Sequence, residues 1–103
     1  MNSELSFGEM IGGDISLIKK SITETIVGSK TYTVSEMKKI TMVVFVLTSY
    51  PTYNQVAVKM GDGTIDVPLQ GTVPSGYGIT DITDNTFTIA WSNDNIQMTV
   101  YGY

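Results

Sequence analysis

The fold of this chain is decided by residues 86–100, TFTIAWSNDNIQMTV. Apolar and polar side chains alternate on both sides of the central SNDN, so that Phe87, Ile89 and Trp91 fall on one face of an extended segment. Alternation with a period of two is typical of a β-strand that buries one of its faces. The stretch therefore predicts two strands joined by a polar turn at residues 92–95.

The same pattern recurs along most of the chain. Asp62-Gly63 indicates a hairpin, because a tight turn between two strands needs positive φ at its centre. Pro68 places the strand after this turn at a sheet edge, or marks its end, because proline has no N–H to donate. The predicted strands lie within residues 21–27, 30–34, 38–49, 56–60, 64–69, 79–83, 86–91 and 96–103. Seven or eight short strands with turn residues between them predict an all-β fold, an antiparallel β-sandwich that is Ig-like or jelly-roll-like.

The first part of the chain is less patterned. Residues 1–13 end in two glycines and are predicted to form a short N-terminal arm, which leaves residues 14–103 as a single β-sandwich domain. A helix over residues 15–22 is the alternative interpretation of the next segment, because Ile15, Ile18 and Ile22 also follow spacings of three and four.

Residues 38–49 predict the strongest strand, and both of its faces are apolar. Val43, Phe45 and Leu47 alternate with a second set of apolar residues on the opposite face. A sheet face made of such side chains is costly to leave in water, so we expect something to cover it. The cover is either another part of the same chain or another subunit. In the second case Val43, Phe45 and Leu47 form an oligomer or docking interface.

Composition argues against several classes of function. The chain has neither cysteine nor histidine, and so lacks thiolate nucleophiles and the usual ligands of zinc and copper. All six basic residues are lysines and the net charge is −4, which disfavours nucleic acid as a partner. The N-terminus does not resemble a signal peptide, and the longest apolar run, residues 42–47, is far shorter than the about 20 residues of a membrane-spanning helix. We expect no cofactor and no insertion into a membrane.

The acidic residues do not form a recognisable catalytic or metal-binding motif. Most aspartates stand in turn sequences, where the side chain is expected to bond to the local backbone. Asp81, Asp84 and Asn85 offer oxygen ligands for calcium, as do residues 93–95, but neither group follows the twelve-residue loop pattern of a calcium site. We predict no catalytic residues and no metal site. A small hydrolase would require a pocket with convergent carboxylates.

Tyrosines offer a better indication of a binding site. Tyr50, Tyr53 and Tyr77 lie in predicted loops, where a flat apolar ring with a hydroxyl group suits both glycans and protein partners. The alternative is that they only close the ends of the sandwich as partly buried side chains. Trp91 alternates with Phe87 and Ile89 and is predicted to belong to the core.

The segment ITDITDNTFTI at residues 79–89, followed by a polar turn and a last strand at 96–103, resembles the closing strands of small β-sandwich modules on tailed-bacteriophage virions. Such modules include capsid decoration proteins and the tips of head or tail fibres, and they share the pattern with lectin-like modules. Residues 38–47 correspond to their central hydrophobic strand. The resemblance covers about half of the chain and includes no sugar-contacting motif.

This resemblance implies a non-enzymatic virion structural or surface protein. The expected location is the particle surface, after assembly in the cytoplasm of a bacterial host. The implied partners are other virion proteins, further copies of the same chain, and a host-surface glycan. The alternative is a carbohydrate-binding or adhesin module that uses the loops with Tyr50, Tyr53 and Tyr77.

Overall fold

The computed structural model describes residues 17–103, and every regular element in this part of the chain is a β-strand. The strands are β1 (Ile18–Thr33), β2 (Ile40–Leu47), β3 (Asn54–Lys59), β4 (Ile65–Gln70), β5 (Gly78–Ile82) and β6 (Thr86–Gly102). They form one antiparallel sheet in the order β1-β6-β2-β3-β4, and β5 also pairs with β6. The predicted all-β, antiparallel class is confirmed. Among these residues there is no helix long and apolar enough to cross a membrane.

The long strands β1 and β6 pair with each other along almost their whole length, from Ile18 opposite Gly102 to Thr33 opposite Thr86. The register shifts once, between Ile26 and Gly28. Gly28 has a φ of 80°, a backbone conformation that is less strained for glycine than for other residues. It allows the bulge that bends the β1–β6 pair, which we call the β1–β6 ribbon.

Two of the predicted turns therefore do not form. Residues 28–29 and residues 92–95 both lie inside continuous strands, next to the register shift between β1 and β6. This is why residues 17–103 contain six strands where the sequence pattern suggested seven or eight. The helical alternative is wrong for residues 18–22, which belong to β1. The predicted arm, residues 1–13, lies outside the described residues.

The bend brings the inner faces of the two halves of the sheet together. Phe45 in β2 is paired with Met98 in β6, and Trp91 lies seven residues before Met98. A straight strand would separate positions 91 and 98 by about 23 Å. Nevertheless, the rings of Phe45 and Trp91 are in edge contact, with centroids 5.7 Å apart. The first half of β6, with β5, thus packs against the inner face of β2 and β3.

The β3–β4 hairpin forms at the predicted Asp62-Gly63 turn. Gly63 has a φ of 90°, and the Asp62 carboxylate accepts a hydrogen bond from the Thr64 amide at 3.0 Å. β4 is an edge strand, as Pro68 predicted. Pro68 lies where the register with β3 shifts, so its missing N–H breaks a ladder that is already interrupted.

The core lies between the two halves of the sheet, and it corrects one prediction. The buried side chains of β2 are Val43, Phe45 and Leu47, which pack against the chain's own residues from β6. Because they are fully covered within the chain, these three residues are not accessible to a partner in this fold. The second apolar face of β2 points to the opposite side of the sheet and is only half-buried.

Candidate functional site: an aromatic surface around Trp91

The three tyrosines predicted to bind a ligand come together in the structure. Tyr53 and Tyr77 contact Trp91, and Tyr50 contacts Tyr53. We call Tyr50, Tyr53, Tyr77 and Trp91 the aromatic surface. The ring centroids are 6.2 Å apart for Tyr50 and Tyr53, 5.9 Å for Tyr53 and Trp91, and 5.2 Å for Tyr77 and Trp91. These separations lie within the range in which aromatic pairs attract each other. The chain positions 50, 53, 77 and 91 thus contribute to one continuous group of rings.

Tyr50 and Tyr53 are positioned by the short connection between β2 and β3. The Tyr53 amide donates to the Tyr50 carbonyl at 2.9 Å, and the Leu47 amide donates to the Tyr53 carbonyl at 3.0 Å. The Asn54 side chain closes the same turn by donating to the Pro51 carbonyl at 2.9 Å. The backbone of this loop is therefore held by several hydrogen bonds, which limits the freedom of the two rings.

Tyr77 comes from the loop that precedes β5. Its amide donates to the Pro74 carbonyl at 3.1 Å, and the next residue, Gly78, has a φ of 105°. A Cβ on Gly78 would lie 2.8 Å from both terminal atoms of the Gln55 side chain. Gln55 is buried and needs this space, because its Oε1 accepts a hydrogen bond from the Ile79 amide at 2.8 Å. Gly78 thus allows the loop with Tyr77 to approach β3.

Trp91 contacts Tyr53 and Tyr77 from the core side. Only 2% of its surface is exposed, as predicted for a core residue, and its indole Nε1 donates to the Asp94 carboxylate at 2.7 Å. Sequence reasoning assigned Trp91 to the core but did not foresee that the tyrosines would lie over it. The contact depends on the bend in β6, for which no local sequence signal gives the direction.

The aromatic surface is accessible from solvent. Tyr50 is 59% exposed, Tyr77 is 39% exposed, and Tyr53 is half-buried against the core. The prediction that these loops present tyrosines at the surface agrees with these values, and the half-buried state of Tyr53 agrees with the alternative that it helps close the end of the fold. Tyr50 and Tyr77 are thus the exposed rings of the group, whereas Tyr53 helps close the end of the fold.

Polar residues follow Asp94 along the chain and pair with the end of β2. Thr48, just before the loop with Tyr50, donates its amide to the Asn95 carbonyl at 3.1 Å, and the Asn95 side chain donates to the Thr48 hydroxyl at 3.3 Å. Both residues are exposed, and Asn95 follows Asp94 in the sequence. Their side chains can exchange hydrogen bonds with a polar ligand.

Three carboxylates outside the aromatic surface have a lowered pKa, and in each case the main cause is a hydrogen bond from another side chain. The hydrogen bond from Lys59, at 2.8 Å, lowers the pKa of Asp84. The hydrogen bond from Lys20, at 2.7 Å, lowers the pKa of Glu36. The Thr64 hydroxyl, which donates at 2.6 Å, lowers the pKa of Asp62. All three shifts favour the charged form, which suits structural roles rather than general acid catalysis.

The described residues, 17–103, contain no group of three or more acidic side chains close enough to hold a metal ion. In the two groups with oxygen ligands for calcium, Asp84 binds Lys59 and Asp94 binds the indole of Trp91. The prediction that this chain has neither a metal site nor catalytic residues stays a prediction.

Comparisons with known proteins add no relative. No protein-family model, no curated protein and no solved structure matches the chain.

Proposed function

We propose that this protein is a non-enzymatic surface module of a bacteriophage particle and that it binds its target through the aromatic surface. The observation that carries the proposal is one continuous group of rings, in which the exposed Tyr77 contacts the buried Trp91 and the exposed Tyr50 is joined to Trp91 through Tyr53. The phage setting rests on the resemblance of residues 79–89 and 96–103 to closing strands of virion modules. The finer architecture, an Ig-like or jelly-roll-like sandwich, belongs to the same proposal and is supported by the packing of Phe45 against Trp91.

Preorganisation makes this surface suitable for binding. Tyrosine has few rotatable bonds, so a tyrosine in a fixed loop loses little conformational freedom when a partner covers it. Tyr53 and Trp91 support the exposed rings from the core side, and hydrogen bonds hold the backbone of the loop with Tyr50. A rigid aromatic patch has the composition of a binding hot spot.

The partner in this proposal is another protein of the particle, and the docked module lies on the particle surface after assembly in the bacterial cytoplasm. A second candidate is a carbohydrate on the host surface. It is favoured by the flatness of the exposed tyrosine rings, against which the apolar face of a sugar ring can stack. The hydroxyl groups of Tyr50 and Tyr77 would exchange hydrogen bonds with the sugar hydroxyl groups.

The first experiment tests particle association and the role of the aromatic surface. Purified particles from a culture expressing the tagged chain are analysed by mass spectrometry, and binding of the isolated chain to these particles is then titrated. Tyr50→Ala and Tyr77→Ala should each weaken binding about 10-fold, the usual effect of removing a hot-spot ring. Tyr103→Ala, which removes a half-buried ring outside the aromatic surface, is the matched control. Absence from the particles, or equal binding by all three variants, would contradict the proposal.

A glycan array separates the two candidates. If a carbohydrate is the partner, the chain binds defined glycans, the free sugar competes with particle or cell binding, and Tyr50→Ala abolishes the array signal. If a virion protein is the partner, the array gives no specific signal while binding to the particle persists. If adding the ligand changes the tryptophan emission of the unsubstituted chain, the ligand lies near Trp91. The Tyr77→Ala variant should not show this change.

A further inference from the structure

The outer surface of the sheet has an apolar centre. We call the outer face the side of β2 and β3 opposite the core, formed by Met42, Val44 and Val46 together with Val56 and Val58. The strand register pairs Met42 with Val58 and Val44 with Val56, so these side chains are direct neighbours. All five are half-buried, and no other described strand lies over them. The outer face shares no residue with the aromatic surface.

The register extends the outer face into two rows across five strands. The first row runs from β1 to β4 through Lys19, Tyr101, Met42, Val58 and Asp66. The second runs through Ser21, Thr99, Val44, Val56 and Leu69. Polar side chains from β1 and β6 border the apolar centre on one side. An apolar centre with a polar margin is the usual composition of a protein interface.

The two charged residues of these rows are placed at opposite ends of the same row. Lys19 lies on β1 and Asp66 on β4, separated by four strand spacings, or about 19 Å. Both are exposed, and neither takes part in the ion pairs found within residues 17–103. The first row is therefore electrically asymmetric, positive at one end and negative at the other.

We infer that the outer face binds a second copy of this chain, related by a two-fold axis that runs parallel to the strands. This rotation reverses the order of the strands in the second copy. Each row of one copy then faces the same row of the other copy, running in the opposite direction. Lys19 of each copy then faces Asp66 of the other, while the apolar centres of the two sheets meet. A two-fold axis perpendicular to the strands would instead place Lys19 opposite Lys19. Packed sheets lie about 10 Å apart, a gap that a long lysine side chain helps to bridge.

The apolar centre supplies the attraction and the charges select the orientation. Five half-buried apolar residues form a patch smaller than a standard protein interface, so the expected dimer is weak, with a dissociation constant in the micromolar range. Charge pairs at the margin of an interface mainly determine orientation and salt dependence. The dimer should therefore weaken in high salt without disappearing.

Sedimentation equilibrium of the full chain over a wide concentration range tests this inference. The expected result is a reversible monomer–dimer equilibrium. Val44→Lys, which places a charge in the apolar centre, should weaken the dimer at least about 10-fold. Val44→Thr, which keeps the shape of the side chain, should weaken it less and guards against a folding defect. Thr25→Lys is the control, because Thr25 is exposed on β1 outside the two rows.

Charge reversal tests the orientation. Lys19→Glu and Asp66→Lys should each weaken the dimer about 3- to 10-fold, and the double variant should recover most of the loss, because the pairs form again with reversed sign. Additive losses in the double variant would contradict the two-fold arrangement.

Two outcomes would overturn the dimer itself. One is a chain that stays monomeric at all concentrations, as expected if residues 1–16 or another protein cover the outer face. The other is dimerisation that does not respond to Val44→Lys. Tyr50→Ala should leave the dimer unchanged, so a failure of this inference and a failure of the proposed binding function can be distinguished.

Discussion

Gly78 and Gln55 determine how closely the loop with Tyr77 can approach β3. Gln55 is the one polar residue with a buried side chain in the described core, and both of its terminal atoms are used. Its Nε2 donates to Gln70 Oε1 at 2.8 Å, and its Oε1 accepts from the Ile79 amide at 2.8 Å. These two bonds connect β4, β3 and β5. The connection requires a residue without a side chain at position 78.

Replacement of Gly78 should therefore cost more than replacement of Gly28. Both residues have positive φ, but a Cβ at position 28 meets no atom within 4 Å, whereas one at position 78 lies 2.8 Å from Gln55. Gly28→Ala should lower the free energy of unfolding by about 1 kcal/mol, and Gly78→Ala by about 3 kcal/mol. Urea unfolding followed by Trp91 fluorescence measures both values. Equal losses would mean that Gln55 moves without cost.

At the scale of the element, the bend in the β1–β6 ribbon has the largest effect on the fold. It divides β6 into a half that pairs with β5 and a half that pairs with β2, while β1 follows both. The Trp91–Asp94 hydrogen bond spans the bend within β6. Because the chain contains one tryptophan, its fluorescence reports on this position alone.

Asp94→Ala should loosen the bend. It leaves the indole N–H of a buried ring without a partner, which costs about 1–3 kcal/mol. The free energy of unfolding should fall by that amount, and tryptophan emission should shift as water reaches the ring. Asn93→Ala, an exposed position in the same bend, is the control and should leave both properties unchanged. Similar effects for the two variants would show that the hydrogen bond does not stabilise the bend.

At the scale of the whole molecule, stability should depend on pH in the acid range. Asp84, Glu36 and Asp62 all have a pKa lowered by partners in the folded chain, from ordinary values of 3.8 for aspartate and 4.5 for glutamate. Above these ordinary values the folded and unfolded chains are both ionised and the stabilisation is complete. As the pH falls below about 4.5, the unfolded chain takes up protons first, and stability is lost until the folded chain is protonated too.

Unfolding by urea at a series of pH values between neutral and about pH 2 measures this dependence. Asp84→Asn should reduce the loss of stability in acid, because one of the three shifted groups is removed. Lys59→Met should have the same effect, since it removes the partner that lowers the pKa of Asp84. Lys38→Met removes a positive charge that is in none of the ion pairs of residues 17–103 and is the control. A dependence identical in all four proteins would contradict the assignment.

The sequence predicted those features that depend on neighbouring residues. The alternation in residues 86–91 and 96–100 identifies strand and buried face, and Asp62-Gly63 identifies a turn, because backbone preferences act locally. Pro68 identified the edge strand for the same reason. The predicted turns at residues 28–29 and 92–95 were wrong because a glycine or a polar run is compatible with either a turn or a bulge. Long-range pairing between β1 and β6 decides between the two.

The sequence by itself determined the all-β class of this protein, most of its extended segments and the two apolar faces of β2. Only the tertiary structure decided that Val43, Phe45 and Leu47 form the core while Met42, Val44 and Val46 face outward. It also decided that tyrosines from separate loops meet over Trp91. Local backbone and side-chain preferences specify how each segment is extended and which residues share a face. Which face is covered depends on the direction of the bend, and that direction results from contacts between residues far apart in the chain.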